Sequence, residues 1–271
     1  MMDMVVNEFL ERHPVFTLTE FKAFLDKNAS VNEWTQQNLL AYYKKKGRIL
    51  GVKRGLYAVV PLGMEPDEFL PDPFVLAARM AEDSVLSYHT ALEFYGSAYS
   101  VQNRFIYLSG VQNKKLSWKE YDFRSVPFPK ALLQKKKELF GVRTEDRRGM
   151  PIKVTSLERT MVDVFDRPDL GGGWEEIWRS LDLVEYLNLE EVVNYTLLLG
   201  NSTTVAKVGF YLEQNRERLM VDNSYLKRLR KKMPPTPRKM ERTGSQPGKF
   251  VSAWNLVVPK PVYERTWEEV T

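Results

Sequence analysis

The sequence predicts an α+β protein, a small helical N-terminal domain closed by a β-hairpin and followed by a larger domain of mixed helices and strands. Three observations carry that expectation. Residues 1–61 read as three short amphipathic helices and then two strands about an Arg54-Gly55 turn. The segment PLGMEPDEFLPDP, residues 61–73, holds four prolines and no periodicity, so 62–73 reads as a linker. Beyond it, in 74–271, helical and strand patterns alternate along one long domain.

Val5, Val6, Phe9 and Leu10 place an apolar stripe on a first helix that Pro14 ends. Thr17-x-x-Glu20 is a capping box, opening a second helix whose Phe21, Phe24 and Leu25 face inward. Residues 26–29 have turn length, and Ser30-x-x-Glu33 is a second capping box that opens a third helix. Leu39 or Leu40, with Tyr43, would pack that helix onto the first two, and Gly47 suits an αL C-cap. Strands are expected over 48–53 and 56–60, with Gly55 supplying positive φ at the turn. Three helices and a hairpin in this order predict a winged helix-turn-helix.

In the larger domain, helices are expected over 74–81 and 88–95, the second ending at Gly96. Short strands follow at 104–108, 121–126, 140–144 and 152–154. Thr155-x-x-Glu158 reads as a third capping box, opening a helix through Val162, Val164 and Phe165 that stops before Pro168. After the turn at Gly171, Gly172 and Gly173, helices are expected over 174–183, 189–199, 204–214 and 224–232. Asn188-x-x-Glu191 begins the second of these and Gly200 ends it. Residues 233–248 are basic and proline-containing and read as an exposed loop; 250–258 reads as a final strand anchored by Trp254.

Composition narrows the class. Apolar content of 43% with 12% aromatics in 271 residues is that of a folded chain. The absence of cysteine excludes a disulfide framework, a thiol nucleophile and any cysteine-based metal site, and fits a cytoplasmic protein. MMDMVVNEFLERHP has acidic residues and no positive region ahead of an apolar core, so it reads as no signal peptide. No run approaches the roughly 20 apolar residues that span a bilayer, and no membrane partner is expected. The net charge of +5 is modest, so what matters is where the charge lies.

It lies in one stretch above all. From Trp34 to Met64 there is no Asp or Glu, while Lys44, Lys45, Lys46, Arg48, Lys53 and Arg54 crowd the middle. These six are candidate contacts to DNA phosphates, supplying affinity and salt dependence. Asn32, Thr35, Gln36, Gln37 and Asn38, in the first turns of the third helix, are candidate readers of base edges, since Asn and Gln pair bidentately with adenine. Neighbouring amides cannot all face one groove, so only some of the five would touch bases. A second basic region, 216–249, contains Lys227, Arg228, Arg230, Lys231, Lys232, Arg238, Lys239 and Arg242. It suits DNA, an acidic partner or simply a solvated surface.

Catalytic signals are weak, and no catalytic residue, metal site or cofactor is expected. His13 and His89 are the only histidines and fall in different predicted domains. No HExxH, Walker A, GxGxxG or GxSxG pattern occurs, and the 171–173 glycines lack the Lys and Ser/Thr of a phosphate cradle. His89 reads as a structural or capping partner. Arg159 and Asp163, spaced i,i+4, read as a surface or semi-buried ion pair. Trp174 and Trp178 read as core.

RGLYAVVP after a basic helix, SYHTALEFYG, VTSLERTMVDVFDRPDLGGGWEEIW and WNLVVP together resemble, in order and over nearly the whole chain, the type IV abortive-infection antitoxins, the AbiEi family. That resemblance implies a transcriptional repressor that binds inverted repeats of double-stranded DNA in its own promoter. It also implies an antitoxin that counteracts a nucleotidyltransferase-like toxin, without need of a stable complex, through its α/β C-terminal domain. Two other classes fit the sequence less well. A DNA-targeted nuclease would need a strand-borne acidic pair followed by a Glu-x-Lys segment, and that combination is missing. A protein-interaction adaptor would have no special need for six clustered cations.

Overall fold

The computed structural model describes residues 2–29, 32–111, 115–241 and 248–267. The architecture is mixed α/β, and the chain forms two compact units built from non-consecutive segments. The first comprises Met1–Leu86, Asn103–Ser125 and Thr144–Lys153; the second comprises Ser87–Gln102, Val126–Arg143 and Val154–Thr271.

The first unit begins with α1 (Met2–Arg12), β1 (Val15–Thr17), α2 (Leu18–Asn28) and α3 (Glu33–Lys45), followed by β2 (Ile49–Lys53) and β3 (Leu56–Val59). These helices and hairpin strands match those expected, and β1 was not anticipated. Its three residues pair antiparallel with β3, giving a sheet of order β1-β3-β2. Val6, Phe9, Leu10, Phe16, Phe21, Leu25, Leu40, Tyr43, Ile49 and Val59 close one core, so every predicted inward residue except Phe24, Leu39 and Val5 is fully buried. The Thr17 capping box forms in both directions. The Ser30 capping box falls outside the described residues; the N-cap of α3 is Asn32, whose side chain accepts from Thr35 N at 2.9 Å. Gly47 and Gly55 take the positive φ expected of them, 69° and 79°.

Residues 62–73, read from the sequence as a linker, lie inside this unit. Lys119 Nζ donates to the carbonyls of Pro66, Asp67 and Phe69 at 2.9, 3.2 and 2.7 Å. Asp72 caps α4 (Pro73–Ala78) through Phe74 N and pairs with Arg147 Nε at 2.7 Å. A six-stranded sheet follows, formed by β4 (Val85–Leu86), β5 (Arg104–Leu108), β6 (Leu116–Trp118), β7 (Tyr121–Val126), β8 (Val142–Arg147) and β9 (Met150–Thr155). Its order is β6-β7-β5-β4-β9-β8. β5 and β7 have the predicted bounds, whereas β8 starts later than expected because 140–141 belong to the turn ahead of it.

The second unit is mainly helical: α5 (His89–Phe94), α6 (Lys130–Gln134), α7 (Leu157–Asp166), α8 (Trp174–Asp182), α9 (Leu189–Leu199), α10 (Ser202–Gln214), α11 (Asn223–Arg230) and α12 (Lys260–Glu264). A three-stranded sheet of order β10-β12-β11 completes it, from β10 (Arg238–Lys239), β11 (Gly248–Val251) and β12 (Leu256–Pro259). Seven consecutive residues of α7, Arg159 to Phe165, are buried, as in a helix surrounded on every side. Its cap is Ser156, accepting from Arg159 N, and not Thr155, whose hydroxyl instead meets Thr160 Oγ1 at 2.7 Å. Asn188 and Gly200 cap α9 as expected. The single strand expected over 250–258 is a hairpin, broken by a turn at Ser252–Trp254 and by Asn255 in the left-handed region. The loop expected over 233–248 is partly built into that sheet, since β10 pairs parallel with β12; residues 242–247, with Arg242, lie outside the described residues. No helix among the described residues is long and apolar enough to cross a membrane.

Candidate nucleic-acid interface

The third helix sets the geometry. Leu40 and Tyr43 bury one side of α3, and Tyr43 Oη donates to Asp3 Oδ1 of α1 at 2.9 Å. Burial, then that hydrogen bond, pushes the Tyr43 pKa up to about 12. The opposite side stays open. Trp34, Gln37, Asn38, Ala41 and Lys45, spaced at three- and four-residue steps, are all exposed and form one stripe. Trp34 is 73% exposed, an unusual setting for a large indole, and Ala41 leaves the middle of the stripe low. Neither was picked out from sequence; steps of four back and three forward from Asn38 reach Trp34 and Ala41.

The eleven residues proposed from sequence divide. Gln37, Asn38, Lys44, Lys45, Lys46 and Arg54 are exposed and available. Asn32 is exposed, but its Oδ1 is occupied by the cap, accepting also from Thr35 Oγ1 at 2.9 Å. Thr35 is thereby committed to the helix start. Gln36 is buried at 4% exposure and donates Nε2 to Asp26 Oδ1 at 2.7 Å, so it ties α3 to α2 and leaves the reading set. Arg48 turns its Nη1 onto the Val60 carbonyl, pinning the base of the hairpin. Lys53 is half-buried and donates Nζ to the Met80 carbonyl at 2.5 Å, and desolvation lowers its pKa. The hairpin tip therefore presents Arg54 and not Lys53.

Neighbours hold the cations of α3 in place. Lys46 Nζ lies 4.4 Å from the centroid of the Tyr42 ring, and its pKa is raised first by the hydrogen bond to that tyrosine. Lys44 lies over the exposed backbone of Gly51, whose carbonyl accepts from Trp118 Nε1 at 3.1 Å. That indole occupies a backbone acceptor on the edge strand of the β1-β3-β2 sheet.

In the second unit, His89 is wholly buried, with Nε2 3.0 Å from Glu176 Oε1 and Nδ1 3.7 Å from Glu93 Oε2. Ser100 N and Ser180 Oγ donate to the same Glu176 oxygen at 3.0 and 3.2 Å, so the carboxylate organises a structural cluster. Arg159 and Asp163, expected as a surface or semi-buried pair, are fully buried, because Phe140, Glu138 and Tyr195 enclose them. Trp178 is core as expected and Trp174 nearly so. Of the eight cations named in the second basic region, Arg228 pairs with Glu190 and Arg230 with Glu213, Arg242 lies outside the described residues, and Lys227, Lys231, Lys232, Arg238 and Lys239 are exposed. No group of three or more potential ligands that could hold a metal ion occurs among the described residues.

No family model and no curated protein matches the chain. Among solved structures it is similar to the RV2827C protein from Mycobacterium tuberculosis, with a TM-score of 0.64 over 98% of this chain and 94% of that one. Identity is 17%, so what the two chains share is the mixed α/β fold.

Proposed function

We propose that residues 1–61 are a winged helix-turn-helix and that the protein is a sequence-specific DNA-binding repressor of its own promoter. What supports this is the outward stripe of α3, where two amides and a lysine flank a low alanine on a helix with no acidic residue after Glu33. Gln37 and Asn38 read base edges, Trp34 packs against a base edge or sugar, and Lys44, Lys45, Lys46 and Arg54 meet phosphates. On the AbiEi resemblance, the C-terminal domain, residues 74–271, is the part that counteracts a nucleotidyltransferase-like toxin in the cytoplasm, and no catalysis is assigned to the chain. Fluorescence anisotropy against duplexes from the region upstream of the gene tests the first claim. Specific binding predicts a duplex preferred over its scrambled counterpart by about a thousandfold or more at physiological salt. Equal affinities would sink it. Growth rescue from a co-expressed downstream nucleotidyltransferase-like product tests the second, with absence of rescue as the contrary result.

A further inference from the structure

The first unit contains a cleft of about 560 Å³ at the hairpin tip. Its walls carry Lys53, Arg54, Arg79 and Lys153 against Glu20 and Glu82. Arg79 and Glu20 satisfy one another, and Glu20 also accepts from Thr17 N at 2.8 Å, so that pair contributes no net charge. What remains is three cations and one carboxylate. Among the described residues, Arg54 and Lys153 have no ion-pair partner, and Lys53 is held half-buried on the Met80 carbonyl with N–H groups to spare.

We infer that this cleft is a binding site for a compact polyanion, a small molecule carrying two or more charges on phosphoryl or carboxylate oxygens. A half-buried ammonium flanked by a guanidinium fork and a second ammonium suits bidentate and point-charge contacts to such a group. The volume lies in the range of small-ligand sites and is too large for a lone chloride. A ligand that must enter the cleft to reach Lys53 is favoured over the flat run of phosphates on a duplex, which meets exposed side chains. Burial disfavours the Lys53 ammonium, and an adjacent anion would offset that cost.

Calorimetric titration of the full-length, DNA-free protein with pyrophosphate, and separately with citrate, tests the site without reference to DNA reading. Saturable one-to-one binding of either is expected, and the tighter of the two identifies phosphoryl or carboxylate chemistry. Lys153→Gln and Lys53→Met should each weaken it about tenfold, the loss expected for one charge-assisted hydrogen bond. Lys153 is exposed, so its variant keeps the test open if Lys53→Met folds poorly. No saturable binding of either anion, or binding untouched by Lys153→Gln, overturns the inference. So does a Lys153→Gln variant that loses affinity for duplex DNA while neither anion binds, which would make the cleft part of a DNA contact.

Discussion

Arg159 and Asp163, one turn apart on α7, meet at 3.3 Å with both side chains sealed from solvent. The guanidinium also donates to the carbonyls of Glu138 and Phe140 at 2.7 and 2.6 Å, and Tyr195 Oη donates to Asp163 Oδ1 at 2.6 Å. A buried pair is costly to desolvate but worse to break, because the survivor is left charged and unpaired. Asp163→Ala should therefore cost about 3–5 kcal/mol in urea melts. Arg159→Lys should recover little of the native stability, since one ammonium cannot serve a carboxylate and two carbonyls in fork geometry. An Asp163→Ala loss below about 1 kcal/mol, the value of an exposed pair, would show that the network does not hold the helix.

Gly209 lies mid-helix in α10, where glycine usually weakens a helix and alanine would help by about 1 kcal/mol. Here a Cβ would come within 2.2 Å of the Trp254 ring. That indole is wholly buried and donates Nε1 to Glu213 Oε2 at 2.6 Å, so it cannot swing aside without losing its partner. Gly209→Ala should reverse the usual sign and destabilise by about 1–3 kcal/mol. A stabilised variant in denaturant melts would contradict the packing.

His89 gives the second unit a pH dependence. Burial lowers its pKa below the usual 6.5, outweighing the opposing pull of the hydrogen bond to Glu176. The unfolded chain therefore binds a proton near pH 6.5 that the folded chain resists, so this contribution to stability is present above pH 6.5 and is lost as the pH falls below it. Glu176 acts in the same direction lower down. Burial raises its pKa, but the Ser100 and His89 hydrogen bonds outweigh that and leave it below 4.5, so its contribution is lost in acid. His89→Gln should flatten the melting temperature between pH 6.5 and 5 relative to wild type. An unchanged slope would exclude His89 as the titrating group.

The elements that carry strong local signals were legible in the sequence. Thr17, Asn188 and Gly200 act as caps because their chemistry is local, and Phe9, Phe21 and Leu25 are buried because a stripe of period 3.6 has one place to go. What escaped was set by distant partners. β1 is a strand because β3 offers it an edge, and 250–258 bends because Asn255 accepts a left-handed conformation that no hydrophobic pattern encodes. Thr155 and Ser156 both suit an N-cap, and only the position of Thr160 separates them. In the candidate interface, charge singles out the helix, but charge does not tell an exposed amide from Gln36 on Asp26, or an exposed lysine from Lys53 on Met80.

That distinction can be tested on DNA. Gln37 and Asn38 are exposed on the stripe, so Gln37→Ala or Asn38→Ala should cost about 1–3 kcal/mol on the preferred duplex and little on a scrambled one. Lys45→Ala should weaken both duplexes alike and reduce the slope of log affinity against log salt by about 0.9. Gln36→Leu supplies the contrast: its amide serves Asp26, so the preference between duplexes should survive while the melting temperature falls. Lys53→Met should likewise leave the salt slope within error, because its ammonium is on the Met80 carbonyl. Anisotropy titrations across a salt series, run beside thermal melts, separate these outcomes. If Gln36→Leu abolishes discrimination while Gln37→Ala and Asn38→Ala do not, the reading face of α3 is not the stripe centred on Ala41.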